Sequence, residues 1–171
     1  MLDYAHIKYG VLIAMLAILF GGALGISFGC CEHDIKDHLR SSAESVLADK
    51  YKGNPELAKK VTDKAWIYFK RAHFHSQTMG VISIVFSLLI ASLNFRPKYQ
   101  LGISILSGSG ALGYGIFWLL AALLAPGMGS TGAAKESVGI IAQLSGAAFI
   151  TSGAVLFALL VFRFIIQKKN A

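Results

Sequence analysis

The stretch YGVLIAMLAILFGGALGISFGCC, from Tyr9 to Cys31, contains no Asp, Glu, Lys or Arg. A helix of about 20 apolar residues crosses a hydrocarbon core of about 30 Å, and this stretch is long enough to do so. Three further windows of comparable length also lack charge. Lipid offers no partner for backbone polar groups, so such segments must be helical. The sequence therefore predicts four transmembrane helices, with spans at about 9–31, 74–95, 101–125 and 137–163.

The overall composition supports a membrane protein. The chain has 171 residues, of which 55% are hydrophobic and only 15% are charged. This balance is too apolar for an ordinary soluble domain. We predict an all-α integral membrane protein in which residues 1–171 form a single membrane domain, a four-transmembrane-helix up-down bundle in contact with the lipid bilayer. The net charge of +7 is not arranged as a basic stripe with interleaved aromatic residues, which argues against nucleic acid as a partner.

The only long polar segment lies between the first two spans, at about residues 32–72. In its first half, Ile35, Leu39 and Ala43 recur at the spacing of one helix face. Gly53 then supplies a helix stop, and Asn54-Pro55 supplies an N-cap followed by a first helical residue. We therefore predict an extramembrane helical hairpin that extends spans 1 and 2.

The distribution of basic residues suggests an orientation. An even number of spans places both termini on one side of the membrane, together with the short turn that contains Arg96 and Lys98. Lys168 and Lys169 add to the charge on that side, whereas Lys70 and Arg71 argue the other way. Short basic loops favour the cytoplasm. The expectation is a plasma or inner membrane protein with cytoplasmic termini and an external hairpin.

Potential ligand residues are concentrated where the hairpin meets the membrane. If the hairpin turns at Gly53–Asn54, then His33 lies level with Phe74, which is flanked by His73 and His75. Residues two apart on a helix point in nearly opposite directions, so only one of His73 and His75 can meet His33. This geometry predicts a haem b held by His33 and either His73 or His75. The corresponding function is electron transfer, with a quinone as a candidate redox partner, in a subunit of a respiratory complex.

Other chemistries use neighbouring residues. Copper or zinc would be bound by thiol, thioether and imidazole groups, for which the candidates are His38, Met79, Cys30 and Cys31. Thiol redox chemistry at the adjacent cysteines is less favoured, because adjacent cysteines form a strained ring and no second pair can relay electrons. The histidines equally suit a membrane interface without any ligand. The alternative function is then a non-catalytic accessory or assembly subunit, without a cofactor, whose hairpin docks a partner. The sequence does not decide whether the protein is an enzyme.

Small residues indicate how the spans pack. Gly21, Gly25 and Gly29 form a GxxxGxxxG series on one face of the first span. Such series allow helices to approach closely in lipid. One interpretation is packing within the bundle, and the other is contact with a second copy or with other membrane subunits. Apart from His75 and Arg163 at their ends, the predicted spans contain no Asp, Glu, Lys, Arg or His, which argues against a channel or proton-coupled transporter.

Overall fold

The computed structural model describes residues 4–166, which are almost entirely helical and include no strand. In chain order the helices are α1 (Lys8–Cys30), α2 (Glu32–Glu44), α3 (Leu47–Tyr51), α4 (Pro55–Ser92), α5 (Pro97–Met128), α6 (Thr131–Ser137) and α7 (Gly139–Val161). A π-helical turn, Phe162–Ile166, follows α7 directly. Lys168 and Lys169, which entered the orientation argument, lie outside the described residues.

Four helices are long and apolar enough to cross a membrane: α1, α4, α5 and α7 with its extension to Ile165. Helix α4 has 38 residues and α5 has 32. At about 1.5 Å per residue they are roughly 57 Å and 48 Å long, well beyond the apolar core of a bilayer. All the charged residues of α4 precede Ala72. The first half of α4 is therefore the polar half, as the sequence predicted.

Helix α5 is the central element, because it packs against α1, α4 and α7. Small residues make its closest approaches. A methyl group at Gly108 would lie 2.7 Å from the backbone oxygen of Gly10 on α1, and one at Gly110 would lie 2.7 Å from the backbone oxygen of Ser145 on α7. Glycine at these crossings allows the backbones to approach.

Two apolar clusters lie at opposite ends of the long helices. At one end Ile7, near the start of α1, packs with Ile90 of α4, Ile103 of α5 and Leu156 of α7. At the other end Phe69 of α4 packs with Phe117 and its neighbours on α5, with Phe28 and Ile141 against them. Each cluster thus joins residues from all four long helices.

The polar segment forms a helical hairpin, as predicted, with α2 and α3 on one side and the first half of α4 on the other. Lys52 and Gly53 have positive φ values of 53° and 72°, which reverse the chain. The Asn54 side chain then accepts hydrogen bonds from the backbone N–H groups of Glu56 and Leu57, the N-cap arrangement expected from the sequence.

The end of α5 packs against this hairpin, a contact that the sequence did not reveal. The predicted third span ended at about residue 125, yet α5 continues through Pro126 to Met128. Pro126 has no N–H to donate to the carbonyl one turn earlier, but it lies in the last turn, so only two helical residues follow it before Gly129, with φ 70°, ends the helix. The buried Tyr51 hydroxyl donates a hydrogen bond of 2.7 Å to the Pro126 carbonyl oxygen. The hairpin is therefore fixed to the third span.

The register of the hairpin differs from the predicted one. Gly25 faces the His73 ring, and the Phe28 ring centroid is 5.4 Å from that of His73. The chain segment that precedes the turn is longer than the one that follows it. Gly25 lies 28 positions before Gly53, whereas His73 lies 20 positions after it. Breaks at Cys31 and at Ser45–Val46, together with the short helix α3, take up the difference. His33 consequently does not lie level with His73 and His75, but beyond them in the direction of the hairpin tip.

Candidate functional site

His33 lies on the outer surface of α2. Its side chain is 90% exposed, and its Nε2 atom is 3.3 Å from Oδ2 of Asp37, one turn further along the helix. His38 is also exposed. Both residues are thus part of the solvated face of α2.

His73 faces α1 instead. Its Nδ1 atom lies 2.7 Å from the Gly21 carbonyl oxygen, so this nitrogen carries the proton and donates the hydrogen bond. The ring meets Phe28 edge-on. A methyl group at Gly25 would lie 2.7 Å from the ring, so the glycine makes room for it. His73 therefore stabilises the contact between α1 and α4, and Gly21 and Gly25 are used within the bundle.

His75 faces α5. Its ring stacks on Trp118 at a centroid distance of 6.0 Å and meets Tyr114 edge-on at 5.1 Å. The Arg71 guanidinium lies 4.8 Å from the Trp118 ring centroid. The buried Trp118 indole nitrogen has no hydrogen-bond partner among the residues that the structure describes. Ring packing, rather than polar contacts, therefore holds this cluster together.

The three predicted haem ligands thus have three different surroundings: solvent for His33, α1 for His73 and α5 for His75. The inference that His73 and His75 diverge is confirmed. Within residues 4–166, no group of three or more His, Cys, Asp or Glu side chains is placed to hold a metal ion. The haem, copper and zinc hypotheses stay predictions, and the geometry offers them no shared ligand set.

The remaining candidate ligands lie at separate positions. The Cys30 and Cys31 sulfur atoms are 2.6 Å apart at the junction of α1 and α2, with Cys30 exposed. Met79 is half-buried one turn after His75 on α4. Gly29 has open space where a side chain would be, so it makes no close helix contact among the described residues.

A groove with a volume of about 690 Å³ lies on the outer side of the hairpin, between α2 and the first half of α4. We call it the hairpin groove. Its floor includes the buried Leu39, Ala43 and Ala58, and Trp66 lines it as well. Helix α2 contributes Lys36, Leu39, Arg40, Ala43 and Glu44, the first residue of α3 contributes Leu47, and α4 contributes Pro55, Ala58, Lys59, Thr62, Asp63 and Trp66. A volume of this size is typical of binding sites.

Charged side chains form the two rims of the hairpin groove. On the α2 rim, Arg40 makes an ion pair of 3.6 Å with Asp37. On the α4 rim, Lys59 pairs with Asp63 at 3.0 Å. Both pairs lie within one helix and are exposed, so each contributes little to stability. The rim charges thus remain accessible to a ligand or partner.

Lys36 marks the end of the hairpin groove nearest the membrane helices. Its ammonium group lies 5.1 Å from the Trp66 ring centroid and donates a hydrogen bond to Glu32. This contact lowers the pKa of the Glu32 carboxyl below its ordinary value. Sequence reasoning found the apolar stripe of α2 but not the groove. The sequence feature that indicates the groove is the small size of Ala43 and Ala58, which leaves space between the two helices.

Comparisons of the chain with protein-family models, curated proteins and solved structures found no match.

Proposed function

We propose that α1, α4, α5 and α7 cross a bilayer as an up-down bundle and that the hairpin projects from it. The two apolar clusters at opposite ends of these helices support alternating directions. Arg71 beside Trp118, and Lys135 near the Tyr68 ring, suit a membrane interface, where basic and aromatic side chains are enriched. Lys8, Arg96 and Lys98 favour cytoplasmic termini in a plasma or inner membrane, with the hairpin outside.

In this arrangement the protein acts as a non-catalytic accessory or assembly subunit whose hairpin docks a partner. The observation that carries this proposal is the hairpin groove, which combines a buried apolar floor with accessible charged rims. An apolar concavity outside the bilayer is costly to leave in water, and a partner that fills it gains the corresponding hydrophobic free energy.

The attachment of the hairpin to α5 also supports docking. Leu39 and Ala65 pack with Ala125 and Ala134, from the end of α5 and from α6. The Tyr51 hydrogen bond to Pro126 adds a second contact. Rigid binding surfaces lose less conformational entropy on association than mobile ones. The hairpin is therefore preorganised to receive a partner.

Electron transfer through haem is less well supported by the same geometry. It requires His33 to leave Asp37 and to reach His73 or His75, which face α1 and α5. The predicted quinone partner is part of the same haem hypothesis. Both remain predictions that an optical spectrum of the purified protein can test.

The experiment compares two bulky substitutions on α4 in native membranes. Thr62→Trp fills the hairpin groove, whereas Lys60→Trp adds the same side chain at an exposed position that does not line it. Native gel electrophoresis measures the size of the assembly that contains each variant. We expect Thr62→Trp to release the protein from its assembly and Lys60→Trp to leave the assembly intact. Equal behaviour of the two variants would contradict the proposal.

A further inference from the structure

We propose that the occupant of the hairpin groove is an amphipathic helix of about three turns from a partner protein, with acidic residues along the edge that faces α2. This inference rests on the proposed docking function and names the chemistry of the partner.

The shape of the hairpin groove fits a helix. Two neighbouring antiparallel helices line it at intervals of three and four residues, which is the repeat of one helix face. On one side α2 and the first residue of α3 line it from Lys36 to Leu47, and on the other side α4 runs from Pro55 to Trp66 as a continuous helix of 11 residue steps. At about 1.5 Å per residue this length is roughly 16 Å, or three turns of helix. An amphipathic helix that places its apolar face in a groove is a common recognition mode.

The opposite side of the hairpin already receives helices in the same way. There, Leu39 and Ala65 pack against Ala125 of α5 and Ala134 of α6. Leu39 thus takes part in the inner core and also forms part of the groove floor. The hairpin is a two-helix layer with one face covered by helices and one face open.

The rim charges specify which helix would bind. Lys36 and Arg40 lie one turn apart at the end of the α2 rim nearest the membrane helices, and Glu44 follows one turn further toward the tip of the hairpin. A partner helix with acidic residues one turn apart would meet both cations. Arg40 is exposed and pairs only loosely with Asp37, at 3.6 Å, so a partner carboxylate can replace that contact at low cost.

The α4 rim has a different pattern. Asp63 lies nearer the membrane helices than Lys59, and the two side chains pair with each other. Their charges therefore largely cancel along this rim. The asymmetry between the rims orients the partner, since its acidic edge is attracted to α2 and not to α4.

A binding experiment with synthetic peptides tests this inference on the full chain in nanodiscs of zwitterionic lipid. One fluorescent peptide of about 14 residues carries an apolar stripe flanked by glutamates, and a matched peptide carries lysines in their place. We expect the glutamate peptide to bind and Arg40→Glu to weaken its binding about tenfold, the effect of one interfacial charge pair. The control Lys60→Glu, which makes the same charge change away from the groove, should leave the affinity unchanged.

Several results would overturn the inference. Equal binding of both peptides would show that apolar contact alone is recognised, and binding that persists in Thr62→Trp would place the peptides elsewhere, including on lipid. Absence of binding would also contradict it, as would a product made of two copies of this chain when a photo-crosslinker is placed at position 62 of the hairpin groove. If Thr62→Trp nevertheless releases the protein from its native assembly, the docking function stands and only the chemistry assigned to the partner fails.

Discussion

The crossing of α1 and α5 gives the sharpest test of the packing described here, through the substitution Gly108→Ala. The added methyl group would lie 2.7 Å from the Gly10 backbone oxygen and 3.2 Å from the Ala14 backbone nitrogen. Backbone atoms cannot turn aside as a flexible side chain can. The two helices must therefore separate, and the contacts around the crossing weaken.

The magnitude follows from comparison with a second glycine of the same helix. Among residues 4–166, no atom of another helix lies within 4 Å of a methyl group added at Gly102. Both substitutions gain about 1 kcal/mol of helix propensity, since alanine is the better helix former. Overpacking costs about 1–3 kcal/mol in a tight interior. The free energy of unfolding of Gly108→Ala should therefore lie about 1–3 kcal/mol below that of Gly102→Ala.

Equilibrium unfolding in mixed micelles with increasing dodecyl sulfate, followed by circular dichroism, measures this difference. A retained helical spectrum before unfolding shows that each variant has folded. If Gly108→Ala proves as stable as Gly102→Ala, the close approach of α1 and α5 at this position is refuted.

Three further changes have expected outcomes in the same assay. Removing the hydroxyl in Tyr51→Phe should cost about 1 kcal/mol through the lost hydrogen bond to Pro126. Burial raises the pKa of Tyr51. The neutral phenol therefore contributes its full stability below the unfolded pKa, and this stability is lost as pH rises through the folded pKa. The difference in free energy of unfolding between the wild-type protein and Tyr51→Phe should narrow only at strongly alkaline pH. Asn54→Ala should cost about 1 kcal/mol by removing the N-cap of α4, and a loss near zero would argue against that cap. His33→Ala should change stability by less than about 0.5 kcal/mol, because its exposed ion pair with Asp37 contributes little; a haem absorption band lost in this variant would instead favour the haem hypothesis.

Much of the helical organisation could be predicted from local sequence. The uncharged stretch Tyr9–Cys31 is long enough to identify a membrane helix by itself, and Asn54-Pro55 fixed the start of α4 to the residue. The divergence of His73 and His75 followed from helical periodicity alone. These features depend on a few consecutive residues, so a single chain suffices to find them.

The candidate site was harder to predict, because it depends on how separate helices align. The breaks at Cys31 and at Ser45–Val46 carry no strong sequence signal, yet they shift His33 away from the level of His73. The predicted third span ended at residue 125, whereas α5 includes Pro126 in its last turn, where the proline carbonyl oxygen accepts the hydrogen bond from Tyr51. The hairpin groove arises from the space between two helices, which no local pattern records.

Photo-crosslinking from the hairpin groove in intact membranes tests the docking function most directly. A benzoylphenylalanine replaces Thr62, which lines the groove, and in a separate variant it replaces Lys60, which does not. We expect a discrete protein adduct from position 62, absent from position 60, that disappears when the acidic amphipathic peptide is added in excess. Adducts to lipid alone, or the same adducts from both positions, would contradict it.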